Sequence, residues 1–228
     1  VTFILAILIL VFGLIIFIVF IEKGQRRLIV QYPKRQVGNK MFVNNKDLTF
    51  TESANELGIS FNGIGWGSQF QDFDLDGYED IYVSGSIIGT DPLSSAYYSN
   101  IFGKYFTLNS SVGLEMDTVS SFGNGIGDFN NDGNNEIIVL DMMPDDNYRR
   151  KTMLTENNYN TYINNEKYKY DFQYVRNTLQ LNQGFMDGNP VYSEVSMFSG
   201  VSGTDWSWAP IVGDYNNDGF NDLIITNG

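Results

Sequence analysis

The sequence predicts an all-β protein assembled from repeats and preceded by one transmembrane α-helix. Three observations carry this. An acidic nonapeptide recurs as DFDLDGYED at 72–80, DFNNDGNNE at 128–136 and DYNNDGFND at 214–222. Each copy runs straight into a short apolar segment, IYVS, IIVL or LIIT, of the kind that forms buried strands. In front of them all, VTFILAILILVFGLIIFIVFI places 21 residues without a charge.

An unbroken apolar run of that length is enough to cross a bilayer as a helix, so residues 1–21 are expected to contact the membrane. It has no basic leader and no small-residue cleavage site, which argues against a signal peptide. Residues 22–40 then carry Lys23, Arg26, Arg27, Lys34, Arg35 and Lys40 against Glu22 alone, a net charge of +5. By the positive-inside rule this flank lies in the cytoplasm, held against anionic lipid.

The nonapeptide places oxygen-bearing side chains at positions 1, 3, 5 and 9 and glycine at position 6. These are Asp72, Asp74, Asp76 and Asp80; Asp128, Asn130, Asp132 and Glu136; Asp214, Asn216, Asp218 and Asp222. Ca²⁺ takes about six to eight oxygens at about 2.3–2.6 Å, and alternate positions on a tightly curled loop can converge on one such ion. Gly77, Gly133 and Gly219 permit the curl. Position 7 (Tyr78, Asn134 or Phe220) offers a backbone carbonyl whatever its side chain. An EF-hand would need Glu at position 12, which here is Val83, Val139 or Ile225, so these are expected to be β-loop calcium sites. Clusters of Asp, Asn and Gly also mark ordinary polar turns. Three copies with the same four positions favour the cation.

The repeat extends beyond the loop. Upstream of each copy comes an aromatic residue and then a Gly-aliphatic pair: Phe50 with Gly58-Ile59, Phe106 with Gly113-Leu114, Tyr192 with Gly200-Val201. Next come GIGWGSQF, SFGNGIG and WSWAPIVG. Periods of this size indicate solenoids, propellers or arrays. The first loop aspartates stand 56 and then 86 residues apart, and the extra length falls in one Asn-, Tyr- and Lys-rich insertion at about 145–176 with room for a short helix.

On these loops, and on DMMPDDNYRRKTM, RNTLQLN and TDWSWAP, residues 42–228 resemble the FG-GAP or VCBS repeat proteins, with integrin-α-like β-propellers, of the CRTAC/UnbV-associated kind. The resemblance implies a partial β-propeller of about three four-stranded blades, with a DxDxDG-type calcium loop joining two strands of each. It also implies an extracytoplasmic or cell-surface setting with a protein or glycan ligand. Asn130 and Asn216 at position 3 and Glu136 at position 9 depart from the family pattern and are expected to weaken sites two and three, since affinity follows ligand charge. Three repeats are too few to close a ring, and a chain running from Val1 to Gly228 reads as a fragment.

FIEKGQRRLIVQYPKRQVGNKM resembles a different family, the SecY channel subunit of the Sec translocase, at the end of a membrane helix and the cytosolic loop after it. The resemblance implies contact with the ribosome or SecA through Arg26, Arg27, Lys34 and Arg35. Pro33 departs from the small residue usual there, and no further membrane helix follows. The two resemblances conflict in compartment. The basic flank points inward, while residues 41–228, with 26 acids and 8 bases, resemble proteins that work where calcium is abundant. The chain therefore reads as a join of two unrelated segments near 38–44.

With neither Cys nor His, the chain excludes thiol nucleophiles, disulfides, Cys/His zinc sites and an imidazole base. A net charge of −18 over residues 41–228 repels nucleic acid. The expected function is a non-enzymatic calcium-binding module with a structural, adhesive or scaffolding role in a bacterial envelope or surface protein. The alternatives are a SecY channel fragment and a glycosidase or lyase working through two carboxylates. Trp66, Trp206 and Trp208 could stack on sugars, though packing within the sheets explains them as well.

Overall fold

The computed structural model describes residues 4–5, 16–22, 25–31, 38–60, 64–86, 95–109, 112, 114, 117–153, 159–168 and 173–228. The chain divides into two compact units, Val1–Gly38 and Asn39–Gly228.

The first unit corrects the expected transmembrane helix. Strand β1 (Ile4–Leu5) pairs antiparallel with β2 (Ile16–Glu22), and β2 pairs with β3 (Gln25–Gln31) from Ile16 opposite Gln31 to Glu22 opposite Gln25. Among the described residues no helix is long and apolar enough to cross a membrane. The physical reason lies in composition. Apolarity sets where a segment is buried, not its backbone, and IFIVFI consists of β-branched and aromatic residues that favour strands. Only Lys23 and Gly24 separate it from a second strand-forming run, a spacing that suits a hairpin. The remainder of the expected helix, residues 1–3 and 6–15, lies outside the described residues, as do Lys23, Pro33, Lys34 and Arg35 of the flank.

The second unit opens with a hairpin of β4 (Phe42–Asn44) and β5 (Phe50–Glu52). Four antiparallel strands follow in chain order: β6 (Ile64–Gln71), β7 (Asp80–Ser86), β8 (Ala96–Ile101) and β9 (Tyr105–Leu108). After β10 (Asp117–Thr118) come β11 (Asn124–Gly127) and β12 (Glu136–Val139), then two short helices, α1 (Asn147–Thr152) and α2 (Tyr159–Tyr168). Strand β13 (Gln173–Tyr174) pairs in parallel with β10. Strands β14 (Thr178–Met186) and β15 (Asn189–Glu194) complete a second four-stranded sheet, β11-β12-β14-β15. Strands β16 (Ser207–Gly213) and β17 (Asp222–Asn227) form a last antiparallel pair.

This overturns the partial propeller of three four-stranded blades. Among the described residues two sheets have four strands, the third acidic loop sits on a two-stranded sheet, and none of the sheets closes on itself. The physical reason is that each loop dictates only the strand pair flanking it. The strands after that pair follow directly in the first sheet, come from beyond an insertion in the second and are missing from the third among the described residues, and β4 and β5 pair with each other, with Phe42, Val43 and Phe50 exposed, instead of extending a larger sheet.

Two apolar clusters hold this unit. Ile81, Val83, Ala96, Tyr98 and Phe106 pack against Ala54 and Ile59 of the turn after β5. On the opposite face of the first sheet, Tyr82 and Tyr97 meet Ile137, Val139 and Tyr192 of the second. The strands that lead into the three loops lie side by side, β6 against β11 and β11 against β16. Glycines allow that approach: a Cβ on Gly127 would stand 2.6 Å from Val212, and one on Gly123 would strike the Trp208 carbonyl. Along this seam Trp66, Phe122 and Trp208 form a column, with ring centroids 5.4 and 4.6 Å apart. The two tryptophans sit where the registers of β6 with β7 and of β16 with β17 slip, bulges that re-aim a side chain.

Candidate metal centres

Each acidic loop bridges the two strands of a hairpin in the same register. The residue before the first aspartate pairs with position 9: Gln71 with Asp80, Gly127 with Glu136, Gly213 with Asp222. Within the loop, position 4 and the position 6 glycine take positive φ: Leu75 and Gly77 at 59° and 90°, Asn131 and Gly133 at 61° and 89°, Asn217 and Gly219 at 62° and 89°. Two left-handed residues so close together wrap the backbone around the side chains of positions 1, 3 and 5.

The hydrogen bonds repeat as closely. The N–H of position 5 donates to positions 1 and 3: Asp76 to Asp72 and Asp74, Asp132 to Asp128 and Asn130, Asp218 to Asp214 and Asn216, all at 2.9–3.2 Å. The glycine N–H donates to the other oxygen of position 1 at 2.9 Å in all three loops. The N–H groups of Tyr78, Asn134 and Phe220 at position 7 donate to the carboxylates of Asp76, Asp132 and Asp218. Such a loop fixes its oxygens before any ligand arrives.

The loops differ at position 3. Carboxylate oxygens of Asp72, Asp74 and Asp76 all lie within 4.8 Å of one another. Burial, and then repulsion from Asp80, Asp76 and Asp72, pushes the Asp74 carboxyl up to about 6. In the other two loops Asn130 and Asn216 turn their amide N–H toward Asp132 and Asp218 at 3.0 Å, which neutralises part of the crowding.

Position 9 faces inward in the first two loops. Asp80 is fully buried, with Oδ2 accepting from the Tyr97 hydroxyl at 2.5 Å and from the Phe73 N–H, and Oδ1 accepting from the Asn100 N–H at 2.7 Å. Burial raises its pKa, against the pull of those bonds. Glu136 is only 1% exposed, and its Oε2 accepts from the Phe129 N–H at 2.8 Å. Its Oε1 is buried without a hydrogen bond, the Asn182 N–H easing the carboxylate but lying outside bonding geometry. Burial and the charges of Asp132 and Asp128 raise the pKa of Glu136. Asp222 accepts from the Tyr215 N–H at 3.0 Å. A crowded carboxylate trio and a buried carboxylate oxygen lacking a donor both fit a hard cation, which compensates negative charge that the protein leaves uncompensated.

Two features were not visible in the sequence, and a third left only a positional signal. Tyr97 and Asn100 reach Asp80 from a strand some twenty residues on. Asn131 of the second loop donates to the Gly219 carbonyl of the third, and Asn221 of the third donates back to the Asp128 carbonyl of the second, both at 2.8 Å. The aromatic column links all three hairpins; its signal was one aromatic six residues before each first aspartate, Trp66, Phe122 and Trp208. Gly113 of the Gly-aliphatic pairs lies outside the described residues, while Gly58 and Gly200 adopt φ of 80° and 74° in matching turns.

No protein-family model matches the chain. It is locally similar to the protein translocase subunit SecY of Rickettsia felis, 63% identical over 38 residues, 17% of this chain and 9% of that protein. The SecY of Rickettsia typhi is 69% identical over 29 residues, 13% of this chain and 7% of its own length. That of Vibrio cholerae is 55% identical over 38 residues, 17% and 9%. The chain spans less than a tenth of the length of these curated relatives. A short SecY resemblance is therefore established for part of the chain, and no matching family model accompanies the FG-GAP or VCBS resemblance.

Proposed function

We propose that residues 72–80, 128–136 and 214–222 bind Ca²⁺, and that the second unit is a non-enzymatic calcium-stabilised repeat module with a structural or binding role in the bacterial envelope. The observation that supports this most is the recurrence of one backbone and hydrogen-bond geometry in three loops, each gathering oxygens from positions 1, 3 and 5. Asp72, Asp74 and Asp76 carry the most charge and form the tightest site. A cation bound only by the folded state stabilises it. Titrating the full chain in non-ionic detergent with Ca²⁺ should raise the melting temperature of the second unit; no change at millimolar calcium overturns the reading. Exposed aromatic residues such as Trp206 and Phe220 offer a protein or glycan partner a surface.

A second reading rests on the local SecY matches: part of the chain is a translocation-channel segment that associates with the membrane and engages the ribosome or SecA. Co-sedimentation of the full chain with ribosomes, reversed by Arg26→Glu with Arg27→Glu, tests it. Absence of binding, or binding that survives the charge reversal, removes it.

A further inference from the structure

The second and third loops are joined by two reciprocal hydrogen bonds, both made by asparagines outside the oxygen sets at positions 1, 3, 5, 7 and 9. Asn131, at position 4 of the second loop, donates its amide to the Gly219 carbonyl of the third at 2.8 Å. Asn221, at position 8 of the third, donates to the Asp128 carbonyl of the second at 2.8 Å. Asn131 sits between Asn130 and Asp132, and Asn221 between Phe220 and Asp222, so each donor is held between two members of its own oxygen set. The acceptors are placed in the same way. Asp128 opens the second loop, and Gly219 precedes Phe220, whose carbonyl belongs to the third.

The backbone around these bonds is close-packed. Gly127, which precedes Asp128 and pairs with Glu136, would bring a Cβ to 2.6 Å from Val212 and 3.5 Å from the Asn221 amide. The rung from which Asp128 and Glu136 depart is thus held by the third hairpin. Glu136 is an independent sign of a ligand at the second loop: it is 1% exposed, and its Oε1 is buried without a donor. The first loop has no counterpart of Asn131. Leu75 takes position 4 there, at a φ of 59° against the 61° of Asn131, and carries no donor.

We propose that the second and third loops bind Ca²⁺ as a coupled pair, with Asn131 and Asn221 as the positioning residues that carry the coupling. This rests on the calcium reading above. An ion at the second loop fixes Asp128, and with it the acceptor that holds Asn221 beside Asp222. An ion at the third fixes Phe220, and with it the neighbouring acceptor that holds Asn131 between Asn130 and Asp132. A loop already ordered by its neighbour loses less freedom when it binds, which gives positive cooperativity without a change of shape. The effect is reciprocal, each ion tightening the other by the same factor. Repulsion between the two ions opposes it and is weakened by salt.

Isothermal titration calorimetry with Ca²⁺ tests the proposal, on the metal-stripped full chain in non-ionic detergent at about 0.15 M salt, where the Debye length is about 8 Å. Asp76→Ala removes the first site and leaves the pair. Coupling of about fivefold, the lower end of the usual range, gives that pair a Hill coefficient of about 1.4. Adding Asn131→Leu, which installs the residue of the first loop, and Asn221→Ala should bring the coefficient to about 1 while both ions still bind. A purely structural role for the asparagines would lower both affinities and leave the steepness. Urea unfolding checks the fold, and Asn131→Gly, suited to the positive φ, replaces the Leu variant should that one misfold. Two ions bound without steepness while the asparagines are intact overturn the proposal. So does steepness that survives their loss, as expected if the packed strands alone couple the sites. A chain without the substitutions that binds no calcium overturns the calcium reading itself, a result distinct from either.

Discussion

At the scale of single residues, the loops depend on backbone handedness as much as on charge. Gly133 and Gly219 sit at φ of 89°, and a Cβ at either meets nothing within 4 Å, so handedness alone penalises a side chain there. Gly133→Ala should cost about 1–2 kcal/mol, read as a lower urea midpoint with an unchanged slope. Asp74 gives a pH signature. Its folded pKa, about 6, lies above the ordinary value of 3.8, so the folded state holds the proton more tightly than the unfolded one. Its contribution to stability is present at low pH and is lost as pH rises from about 4 through 6. Melting temperatures of the calcium-free chain should fall across that window, and Asp74→Asn should flatten the fall; a slope unchanged in the variant assigns it elsewhere. Positions 1, 3 and 5 were legible because their spacing is local. The inward role of position 9 was not, because Asp80 takes its partners from Tyr97 and Asn100, and nothing near Asp80 in sequence announces them.

At the scale of elements, the strand after each loop was legible from its apolar run, and its register follows from the loop. The strands that complete the second sheet were not, since β14 joins β12 only after an insertion holding α1 and α2. The first apolar segment misled for a related reason: hydropathy and length alone do not separate a spanning helix from strands, and the β-branched and aromatic residues of β2 favour a strand. Two contacts between elements can be weighed. The reciprocal Asn131 and Asn221 bonds tie the second loop to the third, whereas the first loop has Leu75 at the position of Asn131, a side chain with no donor. Asn131→Ala should cost about 1 kcal/mol, while Leu75→Ala at its exposed site should stay within about 0.5 kcal/mol, both by urea unfolding. Arg176 meets Glu194 at 2.7 Å with both side chains largely buried. Burial pushes Glu194 up, but Arg176 and Ser196 more than offset it and hold its pKa below the usual value. The pair's stabilisation is thus present above about pH 4.5 and lost as Glu194 is protonated at lower pH. Arg176→Ala strands a buried carboxylate and should cost about 3 kcal/mol near neutral pH, shrinking in acid.

At the scale of the whole second unit, the question is whether calcium acts on one loop or on everything. The loops are exposed, yet position 9 of each begins the strand after it, and in the first two sheets its carboxylate is buried against the sheet. Those sheets share one core, and the seam of β6, β11 and β16 carries an aromatic column through all three hairpins. Opening one hairpin therefore uncovers apolar surface on the next. Binding at one site with calcium at about 100 times its Kd contributes about 2.7 kcal/mol. For a unit of this size each kcal/mol shifts the melting temperature by about 2–4 °C. One saturated site should thus raise it by about 5–10 °C, and three by more. If the hairpins unfold as one body, calorimetry should show a single transition for this unit that moves intact as calcium is added. Asp76→Asn in the first loop should then lower that one transition without splitting it. A transition that splits, with only part of the heat following calcium, would mean that the stacked sheets do not couple the three sites.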